Sequence, residues 1–195
     1  MGTLPISREQ ALELVKKYNE DNRDLIHYLE SEAVMCELAK RLGKDEEYWS
    51  MLGLLHDIDW GLTKDKVETH LTKAPEILKE AGFDEKFIRI VLSHGYGFDE
   101  LPHLKDKERN EEVEYALAAS ETITGLIHAY ALMRDNRISN MKSKGLKKKF
   151  KDKNFAAKVD RDVIRESENL GIELSEFFEI AIEGIKKIKD GVGLE

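Results

Sequence analysis

Apolar residues recur at intervals of three and four along almost the whole chain, and no run alternates apolar with polar as a half-buried strand would. The pattern predicts an all-α protein. A first helix is expected over 8–18, with Ser7 as its N-cap and Leu12, Leu14 and Val15 turned inward. A second spans 22–42, with Ile26, Leu29, Ala33, Cys36, Leu38 and Leu42 on its apolar side, His27 beside that stripe and Gly43 as its stop. The third, over 45–57, carries Tyr48, Trp49, Leu52 and Leu55 towards Ile58 and breaks at Asp59-Trp60-Gly61. Next comes a helical stretch holding Thr69, His70 and Leu71, kinked near Pro75 and closed at Gly82. Asp84 then caps a helix bearing Phe87, Ile88, Val91 and Leu92 that ends at His94-Gly95. Val113, Leu117, Ile123, Ile127, Ala131 and Leu132 form the longest apolar face, a central helix over 110–133. Two further helices are expected over 162–170 and 174–189.

At 195 residues, with 41% hydrophobic and 36% charged, the chain has core and solvated surface for one domain over 1–195, and no repeat or Ser/Gly/Pro linker divides it. Its single cysteine, Cys36, excludes a disulfide scaffold and suits a reducing compartment. No apolar run reaches the roughly 20 residues of a bilayer span, and Met1-Gly2-Thr3-Leu4-Pro5 lacks the basic-then-apolar opening of a signal peptide. A soluble, cytoplasmic protein with no membrane partner is expected. Net charge is −8, yet the stretch 134–161 carries eleven Lys or Arg against Asp135, Asp152 and Asp160. A basic stripe on an acidic protein suits a local anion site better than duplex DNA, so nucleic acid is not the expected partner. A homodimer is left open.

Six histidines stand at 27, 56, 70, 94, 103 and 128. The adjacent pair His56-Asp57 offers a borderline imidazole and a hard carboxylate at one point, a combination that suits a divalent transition metal. His27 lies 29 residues earlier, and Glu121 sits in an apolar setting on the central helix, where a buried carboxylate needs a partner, a cation or a Lys or Arg. Side chains from three helices can converge in a bundle core, where helical rigidity fixes ligand geometry. His103, in an acidic loop, is expected at the surface, and His128 in the core or at the surface without a ligand role.

The segments Leu25-Ile26-His27, Glu37-Leu38-Ala39-Lys40-Arg41-Leu42-Gly43 and Gly53-Leu54-Leu55-His56-Asp57-Ile58-Asp59 together resemble the HD superfamily of metal-dependent phosphohydrolases. The resemblance implies an HD-domain helical bundle over about 22–133, with the basic segment and C-terminal helices of 134–195 as an extension. It implies one or two divalent transition metal ions, Fe, Mn, Ni, Co or Zn. In two-metal members two further histidines follow the His-Asp pair, and His70 and His94 are similarly placed. Asp57 would then bridge, with His27, His56 and Glu121 on one ion and His70 and His94 on the other. The distal ligand of the family is usually Asp, whereas the aligned residue here is Glu121. Asp59 does not match the Gly of His-Asp-x-Gly, so the cyclic-dinucleotide phosphodiesterase subgroup is not indicated. The basic segment resembles a stretch that follows the core in a group of uncharacterised predicted hydrolases.

These readings imply hydrolysis of a small phosphorylated or nucleotide-like substrate by metal-activated water, with Asp57 and Asp59 as candidate catalytic residues, Asp59 alternatively as a helix-end cap. The transition state of phosphoryl transfer needs cationic stabilisation, for which Arg134, Lys144, Lys147 and Lys148 are the candidates. Trp60, Tyr96 and Phe98 suit either packing or base stacking. Two other functions fit the same residues: a di-iron oxygenase, or a phosphate- or nucleotide-binding module without catalysis.

Overall fold

The computed structural model describes residues 3–195, and among these residues it contains helices and no strand. Helix α1 (Arg8–Tyr18) opens on a reciprocal cap, in which the Ser7 hydroxyl accepts from the Gln10 N–H and the Gln10 side chain accepts from the Ser7 N–H. Asp21 caps α2 (Asn22–Leu42), which ends at Gly43 in the left-handed conformation, φ 66°. α2 is the axis of the bundle: α3 (Glu46–Leu55) lies along one side of it. A Cβ on Gly53 would stand 2.7 Å from the Ser31 carbonyl oxygen, so α3 and α2 touch backbone to backbone there. That approach sets the end of α3, and therefore His56, against α2.

Beyond α3 the chain turns through His56-Asp57-Ile58-Asp59 into the short α4 (Trp60–Thr63), then a 3-10 turn over Val67–Thr69. The helix expected around His70 is not continuous. His70 is extended, Leu71 adopts φ 67°, and Pro75 lies in the first turn of α5 (Ala74–Glu80) rather than kinking a longer element. Proline's missing N–H is harmless only in a first turn, which is why it starts this helix. α6 (Glu85–Ser93) follows its Asp84 cap, and α7 (Glu112–Leu132) crosses the core with Ala116, Leu117, Ala118, Ala119, Ile123, Leu126 and Ile127 buried.

The basic segment holds a helix that the apolar pattern leaves invisible, α8 (Ser143–Lys151), which buries only Leu146 and Phe150. The helix expected over 162–170 is split into α9 (Arg161–Arg165) and a 3-10 turn over Glu166–Leu170. α10 (Leu174–Lys187) packs along α2, again with a glycine at the contact: a Cβ on Gly184 would lie 2.7 Å from the Ala33 carbonyl oxygen. Among the described residues no helix is long and apolar enough to cross a membrane.

Candidate metal centre

His56 and His94 occupy the C-cap positions of α3 and α6. The last turn of a helix leaves carbonyls without intrahelical partners, and each histidine takes one three residues back. His56 Nδ1 lies 2.8 Å from the Gly53 oxygen and His94 Nδ1 2.7 Å from the Val91 oxygen. A carbonyl only accepts, so Nδ1 carries the proton in both rings and Nε2 is left as a lone pair. His27, in the second turn of α2, is fixed from α7: its Nδ1 is 2.9 Å from Thr124 Oγ1, whose own proton goes to the Glu121 carbonyl at 2.6 Å. The hydroxyl therefore accepts from His27, and Nε2 of His27 is a lone pair too.

These lone pairs point at one another. Nε2 of His27 and Nε2 of His56 stand 3.1 Å apart. Asp57 lies between the two halves of the cluster, with Oδ2 at 3.5 Å from His56 Nε2 and 3.9 Å from His27 Nε2. Its other oxygen, Oδ1, is 3.1 Å from Nε2 of both His70 and His94. Two donor groups result, His27 with His56 and Asp57, and Asp57 with His70 and His94, each with its ligand atoms within 4.8 Å of one another. Glu121 Oε2 faces the first group, 3.9 Å from His27 Nε2, while the Thr122 hydroxyl holds its other oxygen.

Electrostatics favours a cation at this point. Asp57, Asp59 and Glu121 are paired with no Lys or Arg among the described residues; their charged neighbours are histidines. Burial pushes the His56 imidazole down to about 3, against the opposing pull of Asp57. Burial also raises the Glu121 carboxyl, although His94 and His27 draw it the other way. For Asp57 burial is overcome: His56 and His70 nearby, with a hydrogen bond from His70, hold it well below the usual carboxylate range. Burial is likewise outweighed at His70, which Asp57 and Asp59 raise to about 10. Facing lone pairs, and carboxylates with no Lys or Arg beside them, are relieved by an ion or a proton between them, and nitrogen with carboxylate oxygen is a donor set that divalent transition metals accept.

The expectation that Asp59 acts as acid or base gives way to a positioning role. Asp59 is fully buried, and its oxygens accept from the backbone N–H groups of Leu71, Lys73 and Ala74 at 3.1, 2.9 and 3.2 Å. It thus caps the start of α5, not α4, where it makes no side-chain cap. Its Oδ1 also stands 3.1 Å from His70 Nδ1, a charge contact short of an aligned hydrogen bond. Such a carboxylate behind an imidazole orients the ring and raises its basicity.

Several supporting residues carry no sequence signal. Tyr28 donates to Asn19 Oδ1 at 2.9 Å and to the Asp57 carbonyl at 3.3 Å, and Asn19 donates to the Ile58 carbonyl at 3.2 Å, which pins the turn after α3. Arg109 donates to the carbonyls of Ser93 and Tyr96 at 2.8 and 2.9 Å and so fixes the chain on both sides of His94. Among the expected phosphate contacts, Lys144, Lys147 and Lys148 are exposed on α8, and none pairs with a residue of the cluster. Arg134 follows α7 more than about 15 Å of helix beyond Glu121, where its guanidinium rests over the Tyr130 ring, 5.3 Å from the centroid. His103 is exposed, and His128 pairs with Glu30. The Trp60 ring stands edge-on to His70, 5.1 Å between centroids, whereas Tyr96 is buried.

Residues 24–123, just over half of the chain, match the HD domain family model, a span that contains all six clustered side chains. No curated protein and no solved structure matches the chain.

Proposed function

Since the chain belongs to the HD domain family, we propose that it is a metal-dependent phosphohydrolase acting on a small phosphorylated or nucleotide-like substrate. The observation that carries the reading is the 3.1 Å approach of two imidazole nitrogens whose protons are both committed elsewhere. His27, His56, Glu121 and Asp57 would hold one divalent ion, and Asp57, His70 and His94 a second. When bound, such ions polarise a phosphoryl oxygen and lower the pKa of water, which is the chemistry hydrolysis of a phosphate ester needs. The chain's own part is orientation: Asp59 fixes His70, the Gly53 and Val91 carbonyls fix His56 and His94, and Thr124 fixes His27. The cluster opens to solvent at His27, whose side chain is 31% exposed, while His56 is sealed at 0%. A phosphate therefore enters from the side of α2 and α7 where His27 and Glu121 meet.

Phosphate release from mononucleotides and sugar phosphates, with the protein loaded in turn with Mn, Co, Ni, Fe or Mg, tests this reading. Turnover that depends on the added metal is the expected result. Iron-dependent consumption of dioxygen without phosphate release would instead make the protein a di-iron oxygenase.

A further inference from the structure

Hydrolysis of a phosphate ester calls for positive charge around the phosphoryl oxygens, yet no Lys or Arg touches the donor cluster, and the lysines of α8 pair with none of it. One ammonium sits beside the turn of α2 that precedes His27. Lys64 closes α4 with helical dihedrals, φ −57° and ψ −26°, and its N–H donates to the Trp60 carbonyl at 2.8 Å. Trp60 and Lys64 thus lie one turn apart on the same face of α4. Trp60 sets its ring edge against His70, and Lys64 places Nζ 3.3 Å from Asp24 Oδ2 on α2. Asp24 precedes His27 by three residues, so the two side chains are neighbours on that helix, with Cβ atoms about 5–6 Å apart. The face of α4 therefore runs from His70 of one donor group to the turn of α2 just before His27 of the other. Arg23, also on this turn of α2, is turned back onto Asp21 at 2.8 Å and is 88% exposed.

We propose that Lys64 receives the phosphoryl oxygens of the substrate at the rim of the cluster, an assignment that rests on the phosphohydrolase reading. The pair it leaves to do so is a surface one: the Lys64 side chain is 39% exposed, and ion pairs of that kind hold weakly. A phosphate carries more charge than Asp24 and presents several acceptor oxygens, so the exchange is favourable. The four-carbon stem of lysine allows the swing without movement of α4.

The experiment measures p-nitrophenyl phosphate hydrolysis and inorganic phosphate inhibition on the metal-loaded full chain. Lys64→Ala is expected to raise KM and the phosphate inhibition constant by about ten- to a hundredfold. Metal content should stay near that of the unaltered protein, and Lys64→Arg should restore most of the loss. Unchanged KM and inhibition in Lys64→Ala overturn the assignment, as does a loss that appears in the K147A/K148A double variant and not in K64A. Calorimetric titration of inorganic phosphate into the loaded protein reads the same contact without turnover. Phosphate bound through Lys64 by a protein that hydrolyses no ester contradicts the hydrolase reading and supports Lys64. Esters hydrolysed while K64A binds phosphate undiminished contradict Lys64 alone.

Discussion

Helices α2 and α7 bring histidine and carboxylate together twice, one level apart, and the two levels behave differently. At the upper level His27 meets Thr124 and Glu121; at the lower, Glu30 meets His128 with Oε1 2.7 Å from Nδ1. The lower pair is closed. Its carboxylate is 2% exposed and has a proton donor, and that hydrogen bond raises His128 above its ordinary value of 6.5 against the effect of burial. The upper level is open, because its Nδ1 protons are spent on a hydroxyl and on carbonyls and its Nε2 lone pairs face each other. Residue type is the same in both. What separates a structural ion pair from a donor site is the partner at each ring nitrogen: a buried carboxylate at Nδ1 of His128, against a hydroxyl at Nδ1 and a second imidazole at Nε2 of His27.

The largest expected effect breaks the upper level. Protein purified without chelator should hold roughly one or two equivalents of transition metal, and His56→Ala with Asp57→Ala should hold almost none, read by elemental analysis. Next, Asp59→Asn keeps an acceptor for part of the α5 cap but removes the charge behind His70. Metal affinity should fall about 10–100-fold with the helical circular dichroism unchanged. At the lower level, His128→Ala leaves Glu30 buried without its partner and should cost about 1–3 kcal/mol in denaturant unfolding while metal content stays intact. Metal loss in that variant would erase the distinction between the two levels.

The smallest effect is in pH. His128 binds its proton more tightly folded than unfolded, so its contribution is fully present below pH 6.5, the ordinary value, and disappears as pH rises through the raised folded value. The stability advantage of the unaltered protein over His128→Gln should therefore shrink as pH rises across that window. An advantage that grows with pH would show the sign to be wrong.

Much of the fold and of the donor set is legible in the sequence. The helices over 8–18 and 22–42 are found at those residues, because Ser7 and Asp21 cap them and Gly43 stops the second. The donors His27, His56, Asp57, His70 and His94 come together as their order along the chain suggested. Other features could not be read. α8 has two buried apolar residues among lysines, too few to set a period against its charge. The role of Asp59 depends on backbone N–H groups 12 to 15 residues away, and Thr124 reaches His27 across 97 residues. Neither separation leaves a local pattern. His128 and His27 are alike in local pattern, since both stand among apolar helical residues; the order of the motifs sets His27 apart, and the partner at Nδ1 gives the physical difference.

Anomalous diffraction from crystals of the metal-loaded protein, collected at the absorption edge of the ion, tests the central claim most directly. The account predicts density within ligand distance, about 2.0–2.2 Å, of Nε2 of His27 and His56 and of an Asp57 oxygen, with any second peak on Asp57, His70 and His94. Strong peaks elsewhere, or none between His27 and His56, would contradict it.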